Sequence, residues 1–334
     1  MSLNPRNQER NDFSTLKNKF MVANKRYIKV VLVLVILLVG ISFVSLFFGS
    51  TDGINYDIIY KIRLPRIILG MIVGCGLALS GAILQGITKN PLADPYILGA
   101  SGGAAVGVAT GIVLKLPYSA IYPLAIIGSA ISTIVAYSIG KVHGQTKVEV
   151  LILSGVIVNI FTNAIVLLLM SIFYQDSQDI IFFLMGSLQE NNIKLIIVSG
   201  ILVLIGFVLS FLYSDELNII SQGEETAYHL GVNVEKIKWI LFFISSIIIG
   251  SIVAVSGVIG FMGLIIPHIA RVFVGANYKR FLVVSFLLGS CFLVTADTVS
   301  RTLFSPFEVP VGVVTALTGV PFFIYLLLKK NVKS

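Results

Sequence analysis

Apolar stretches of membrane-spanning length recur from one end of this chain to the other, and that recurrence limits the fold more than any single motif. Crossing a hydrocarbon core of about 30 Å takes about 20 apolar residues as helix. With 56% hydrophobic and 12% charged residues and a mean hydropathy of +0.96, the 334 residues do not fit an ordinary soluble domain. The two-residue alternation of an outer-membrane barrel is missing, so helices are left as the way to satisfy the backbone in lipid. The expected fold is all-α: a polytopic membrane protein of about ten transmembrane helices.

The spans are expected at about 30–48, 66–86, 97–114, 120–140, 150–173, 194–213, 239–255, 258–274, 281–299 and 311–328. Of the 24 Lys and Arg residues, six (Lys61, Arg63, Arg66, Lys115, Lys194 and Arg301) fall in outer segments, leaving eighteen on the inner side. By the positive-inside rule both termini are expected in the cytoplasm, and an even number of spans keeps Lys329, Lys330 and Lys333 there. The net charge of +8 then reads as topological bias and not as a nucleic-acid footprint. Residues 1–29 read as a basic cytoplasmic tail and 30–330 as one transmembrane domain. The first run, Val30 to Phe48, is too long for a signal-peptide core and lacks a cleavage site, so it is expected to be a retained span.

Between 239 and 274 the sequence is apolar almost throughout, broken by Ser256-Gly257, Gly260, Gly263 and Pro267. Two spans with a very tight outer turn near Ser256-Gly257 are expected; a single long kinked helix is the rival. Gly70 and Gly74, and Gly103, Gly107 and Gly111, repeat at four-residue spacing, which suits close helix packing within the chain. Cys75 and Cys291 lie in apolar runs and read as packing residues, with no disulfide framework or metal spacing.

Residues 215–238 form the one sizeable polar stretch in the interior. Within it, Gly223 to Gly231 reads as a short amphipathic helix with a glycine stop, suited to docking another protein. No catalytic constellation is legible: His143, His229 and His268 fall in separate segments, and Gly140-Lys141 is followed by Val142 and not by Ser or Thr. The chain is therefore not expected to hydrolyse ATP or to bind a cofactor or metal of its own. Asp297 is the exceptional charge within a span, near its outer end, and Arg301 four residues on is placed to neutralise it.

A set of strings in fixed order resembles the FecCD family, the permease subunits of type II ABC importers for ferric siderophores, haem and cobalamin. The strings are Arg63-Leu64-Pro65-Arg66; Gly76-Leu77-Ala78-Leu79-Ser80-Gly81-Ala82 with Leu84-Gln85; and Asn90-Pro91-Leu92-Ala93-Asp94-Pro95 before Leu98-Gly99. They continue with Glu225-x-Ala227-x-x-Leu230-Gly231, Gly260-Phe261-x-Gly263-Leu264-Ile265-Ile266-Pro267-His268-x-x-Arg271 and Ala296-Asp297 with Arg301. The last is Glu308 to Thr315 ahead of Gly319-x-Pro321. The first thirty residues and 174–193 carry no matching motif.

The resemblance implies a ten-helix permease paired with a second permease, two ATP-binding subunits on the cytoplasmic side and an extracellular substrate-binding protein. By its pattern Glu224, Glu225, Ala227, Leu230 and Gly231 form the coupling helix, with Ala227 and Leu230 facing the ATPase. Arg63, Arg66 and Arg301 would meet acidic residues of the binding protein, the alternative for Arg63 and Arg66 being anchorage of a helix end. Asn90, Pro91 and Leu92 match the cytoplasmic gate loop, and Pro91 keeps Asn90 out of helix. Val148-Glu149-Val150 departs from the small-hydroxyl pattern of the second gate element. Asn159, Thr162, Asn163 and Thr315 are candidate pathway-lining residues, although polar side chains also join helices.

The function expected is inward translocation of a metal chelate, a ferric siderophore first and haem or cobalamin second, across the cytoplasmic membrane. A stand-alone secondary transporter and a structural membrane-assembly subunit are the rivals from other classes.

Overall fold

A computed structural model describes residues 5–49, 56–96, 99–142, 145–190, 192–303, 305 and 307–331. Leu98, His143, Lys333 and part of the first expected loop lie outside the described residues. The chain runs α1 (Pro5–Phe47), α2 (Tyr56–Ile58), a π-helical turn (Ile59–Arg63), α3 (Leu64–Thr88), α4 (Ala100–Val113), α5 (Tyr118–Gly140) and a hairpin of β1 (Lys141–Val142) and β2 (Gln145–Thr146). It continues α6 (Val148–Ile172), α7 (Ser177–Leu184), α8 (Ile193–Leu212), α9 (Ser214–Gln222), α10 (Glu224–His229), α11 (Val234–Ser256), α12 (Met262–Val274), α13 (Tyr278–Thr302) and α14 (Val311–Asn331).

Seven of these are long and apolar enough to cross a membrane, counting Tyr56–Thr88 as one. The shorter apolar helices Ala100–Val113, Met262–Val274 and Val311–Tyr325 occupy the other three expected places. Local sequence explains several boundaries. The Asn192, Asn233 and Asn277 side chains accept from the Lys194, Lys236 and Arg280 amides and so cap α8, α11 and α13. The π turn ends beside Pro65, which has no N–H to return to the Lys61 carbonyl.

Contacts sort the loops into two ends. Arg280 lies over the Tyr27 ring at 5.7 Å, so the start of the first span shares an end with Lys279–Asp215 and the 214–238 segment. We call this end inner, following the basic-residue pattern. At the outer end Arg66 of α3 meets Asp297 and Glu308, and the Ser187 amide donates to the Ser256 carbonyl. The helix α1 continues through the expected boundary at residues 29 and 30 without a break.

The helix α3 forms the centre, buried along 83% of its most apolar window, whereas the first span is 11% buried and presents its side chains outward. The α3–α13 packing depends on glycine: a Cβ on Gly74 would stand 2.3 Å from the Gly289 carbonyl oxygen, and one on Gly289 equally close to that of Gly74. Gly103 and Gly107 likewise meet the backbone of α5, so these repeats serve packing inside the chain. Cys75 and Cys291 are buried free thiols.

The doubtful region resolves into two helices. α11 ends at Ser256, and Gly257 turns the chain at φ +66°, where a Cβ would stand 2.0 Å from the Phe183 carbonyl oxygen. The lead-ins to α4 and α12 then meet inside the bundle: the Ile259 amide donates to the Tyr96 hydroxyl at 2.8 Å, and Pro95 abuts Gly263. Each enters the bundle as irregular chain, which leaves fewer residues for the helix that follows. Non-helical backbone is tolerated there because protein, not lipid, surrounds it.

Candidate functional site

The inner end brings the expected coupling helix, gate loop and second gate element into one polar network. α3 stops where Lys89 adopts a left-handed conformation (φ 51°). The Asn90 side-chain oxygen then accepts the Leu92 amide at 2.9 Å, and the Asn90 carbonyl accepts the Ala93 amide at 3.1 Å. Asn90, Pro91 and Leu92 thus form a tight Asx-type turn. Lys89 Nζ reaches Glu224 Oε1 at 3.4 Å, which joins this turn to the first residue of α10.

From Glu224 the network enters the bundle. Lys238 Nζ, on a side chain 1% exposed, lies 2.9 Å from Glu224 Oε1 and 3.5 Å from Glu235 Oε1, and donates to the Thr146 carbonyl at 3.2 Å. Glu235 accepts the Thr146 amide at 3.1 Å, the Thr146 hydroxyl and, at 3.3 Å, the Tyr137 hydroxyl. Thr146 ends the hairpin that leads into α6, where Val148 and Glu149 open the first turn. A polar cavity of about 470 Å³ separates the pieces, lined by Thr88, Lys89, Thr146, Lys147, Val148, Glu149 and Glu224. Val148-Glu149-Val150 therefore places the Glu149 carboxylate on the cavity wall, with Thr88 and Lys89, just ahead of the Asn90–Leu92 turn, also in its lining.

A helix forms in the expected coupling segment as Glu224–His229, between Gly223 and a left-handed Gly231 at φ +78°. Its orientation corrects one expectation. Ala227 is completely buried against the chain itself and does not face a partner. Tyr228 (78% exposed) and Leu230 (64% exposed) are presented outward, with Glu225 also exposed and Glu224 turned to the two lysines. The physical reason is α9 before it: Leu217 and Ile220 are buried in the bundle, which holds α10 flat so that its small residue lies underneath.

The outer arginines come together, but inward. Arg66 is 7% exposed and bonds to Asp297 at 2.9 Å and Glu308 at 2.8 Å. Arg301 (2% exposed) pairs with Asp297 at 3.0 Å and donates to Phe48 O and to the Ser45 hydroxyl. Arg63 (4% exposed) donates to Leu46 O at 2.8 Å. Two guanidinium groups thus close the C-terminal carbonyls of α1, where cations are favoured. The expectation that Arg63, Arg66 and Arg301 stand free for a binding protein is corrected: orphan carbonyls and the buried Asp297 draw them into the bundle. The Asp297–Arg301 pair is present as expected.

Of the pathway candidates, Asn163 is exposed and Asn159 half-buried, one turn apart on α6. Thr162 and Thr315 are buried and donate to carbonyls of their own helices, Val158 and Asn159 for one and Gly312 for the other. Thr162 also fills the space beside Gly102 and lines an apolar groove of about 360 Å³ between α4, α5 and α6. Sequence reasoning missed Lys89, Lys238, Glu235 and Thr146. The signal for Lys238 was a lysine inside an apolar period, four residues after Val234; nothing local marked the others.

Comparison with known proteins shows the family of the chain. A family model described as the FecCD transport family matches residues 25–329. The hemin transport system permease protein HmuU of Yersinia pestis is 41% identical over 304 residues, covering 87% of this chain and 89% of that protein. The cobalamin import system permease protein BtuC of Halobacterium salinarum is 40% identical over 278 residues, covering 83% of this chain and 75% of that protein. A solved ABC transporter, inward-facing and assigned to the metal-chelate type, superposes with a TM-score of 0.84 at 34% identity, covering 91% of this chain and 99% of that one.

Proposed function

This chain belongs to the FecCD transport family and is a multi-pass permease of an ABC importer, and on that premise we propose that its cargo is a ferric siderophore. The observation that carries the mechanism is α10, a surface helix at the inner end that presents Tyr228 and Leu230 outward and is ion-paired to the gate turn through Glu224 and Lys89. In this reading one of two ATP-binding subunits docks on that helix and the other on the second permease, and hydrolysis of ATP moves the helix. A second permease completes the path, with Asn159 and Asn163 on its wall. Both termini lie in the cytoplasm, and this chain contributes binding and gating without a cofactor of its own.

An extracellular binding protein delivers the chelate at the outer end. Arg63, Arg66 and Arg301 serve that docking by holding α1, α3 and α13 in one rigid surface, and not by pairing across the interface. The similarity to a hemin and to a cobalamin permease keeps haem and cobalamin as the second reading of the cargo.

Uptake into proteoliposomes that contain the assembled transporter and its binding protein tests this. Iron-loaded hydroxamate and catecholate siderophores, haem and cobalamin would be offered with ATP inside. ATP-dependent uptake of a ferric siderophore that excess haem and cobalamin fail to suppress is expected. Uptake of haem or cobalamin alone would overturn the cargo, and uptake of none would overturn the importer reading.

A further inference from the structure

The polar network at the inner end contains one group whose environment suits more than fold maintenance. Lys238 is fully buried, and burying an ammonium is costly unless several acceptors surround it. Its acceptors come from separate elements: Glu224 of α10, Glu235 one turn back on α11 and the Thr146 carbonyl of the hairpin before α6. A lysine serves three acceptors at once, because its three donors rotate about one compact charge. Glu224 carries the same link onward to Lys89 and so to the Asn90–Leu92 turn.

The mechanical setting agrees. α10 has six residues and is bounded by Gly223 (φ +149°) and Gly231 (φ +78°), the latter with open space for 4 Å around the point where a side chain would begin. It is a short rigid piece on two glycine joints. The polar cavity of about 470 Å³ between Lys89 and Glu149 gives the two gate elements room to approach.

We propose that Lys238 is the positioning residue through which a displacement of α10 reaches both inner gate elements, the 89–92 turn by way of Glu224 and Lys89, and the hairpin and α6 by way of Thr146. The proposal rests on the importer reading above. A purely structural lysine would change stability alone; a transmitting lysine changes how the gates respond to nucleotide while the ATPase still turns over.

The experiment uses the assembled transporter in proteoliposomes with Cys75 and Cys291 replaced by alanine. Single cysteines are introduced as Asn90→Cys or Lys147→Cys and labelled from the inner side with and without ATP. In the otherwise unaltered protein both labelling rates are expected to change several-fold with nucleotide. Lys238→Met is expected to bring both ratios to about one and to lower uptake at least tenfold while ATP hydrolysis continues. Lys89→Gln is expected to abolish the response at Asn90→Cys and keep it at Lys147→Cys, a separation that general destabilisation would not produce. Should Lys238→Met not insert, Lys238→Gln, which is polar but lacks the ammonium that bridges Glu224, Glu235 and the Thr146 carbonyl, carries the same expectation. Nucleotide-dependent labelling at both sites in an inserted Lys238 variant would overturn the proposal. Absence of any response before the lysines are changed would overturn the importer reading, and this proposal with it.

Discussion

Lys61 and Asp57 lie 2.7 Å apart and Arg66 and Asp297 2.9 Å apart, yet the longer contact is the consequential one. The first pair is about three-quarters exposed, where solvent screens the charges and measured pairs contribute roughly 0.2–1 kcal/mol. The second is buried and shared: Asp297 holds Arg66 and Arg301 together, and removing one partner of such a pair costs about 3–5 kcal/mol. Arg66→Met is therefore expected to lower the unfolding temperature of the detergent-solubilised protein clearly, and Lys61→Met to leave it nearly unchanged. Equal effects in thermal unfolding would show that the outer cluster has no special role. The same comparison explains what the sequence concealed. The positive-inside pattern marks Arg63, Arg66 and Arg301 as unusual, but whether an unusual charge faces outward or inward depends on partners far along the chain: Glu308 is 242 residues from Arg66. Asp297 and Arg301 were legible because four-residue spacing on a helix is local.

The element α10 repeats this lesson with side-chain size in place of charge. Its existence and both its ends were legible, since Gly223 and Gly231 frame a short polar helix between spans. Its facing was not, because that is set by α9, where Leu217 and Ile220, at three-residue spacing, are the buried two of three apolar residues in a short segment. The break between α11 and α12 was legible for the opposite reason: Ser256-Gly257 interrupts an otherwise apolar run. α7 was hidden in a loop without motifs, although it seals the outer ends of α11 and α14, with a Cβ on Gly312 only 2.3 Å from the Met185 carbonyl oxygen. For α10 the facing has a measurable consequence. Ala227 is 0% exposed, so Ala227→Trp overpacks the chain's own interior, at a cost of about 1–3 kcal/mol or more, and should lower membrane abundance. Tyr228→Ala removes an exposed ring and should leave abundance intact while weakening co-purification of the ATP-binding subunits. Full abundance of Ala227→Trp together with lost ATPase binding would restore the outward-facing alanine.

The assembly of these elements bears on what drives transport. A carrier powered by protons or sodium needs a site whose affinity for the driving ion differs between two states, and such sites are ionisable groups or open carbonyls near the middle of the membrane. Among the described residues the buried ion pairs gather at the two ends: Arg66, Asp297 and Arg301 outside, Lys238 inside with Glu224 and Glu235. The middle is held instead by glycine contacts, as between Gly74 and Gly289, and by the two lead-ins, where the Ile259 amide donates to the Tyr96 hydroxyl and the buried carboxylate of Asp94 accepts the Tyr96 amide. Among the described residues no group of three or more His, Cys, Asp or Glu is placed to hold a metal ion. The polar network that can respond to an outside force is the one at the inner end, beneath α10. Uptake into sealed vesicles should therefore persist when ionophores collapse the proton and sodium gradients, provided that ATP and the partner subunits are present. It should stop when the partner ATPase is catalytically inactive, even with a full gradient. Gradient-driven uptake by this chain alone would overturn that assignment and give the molecule to the secondary transporters.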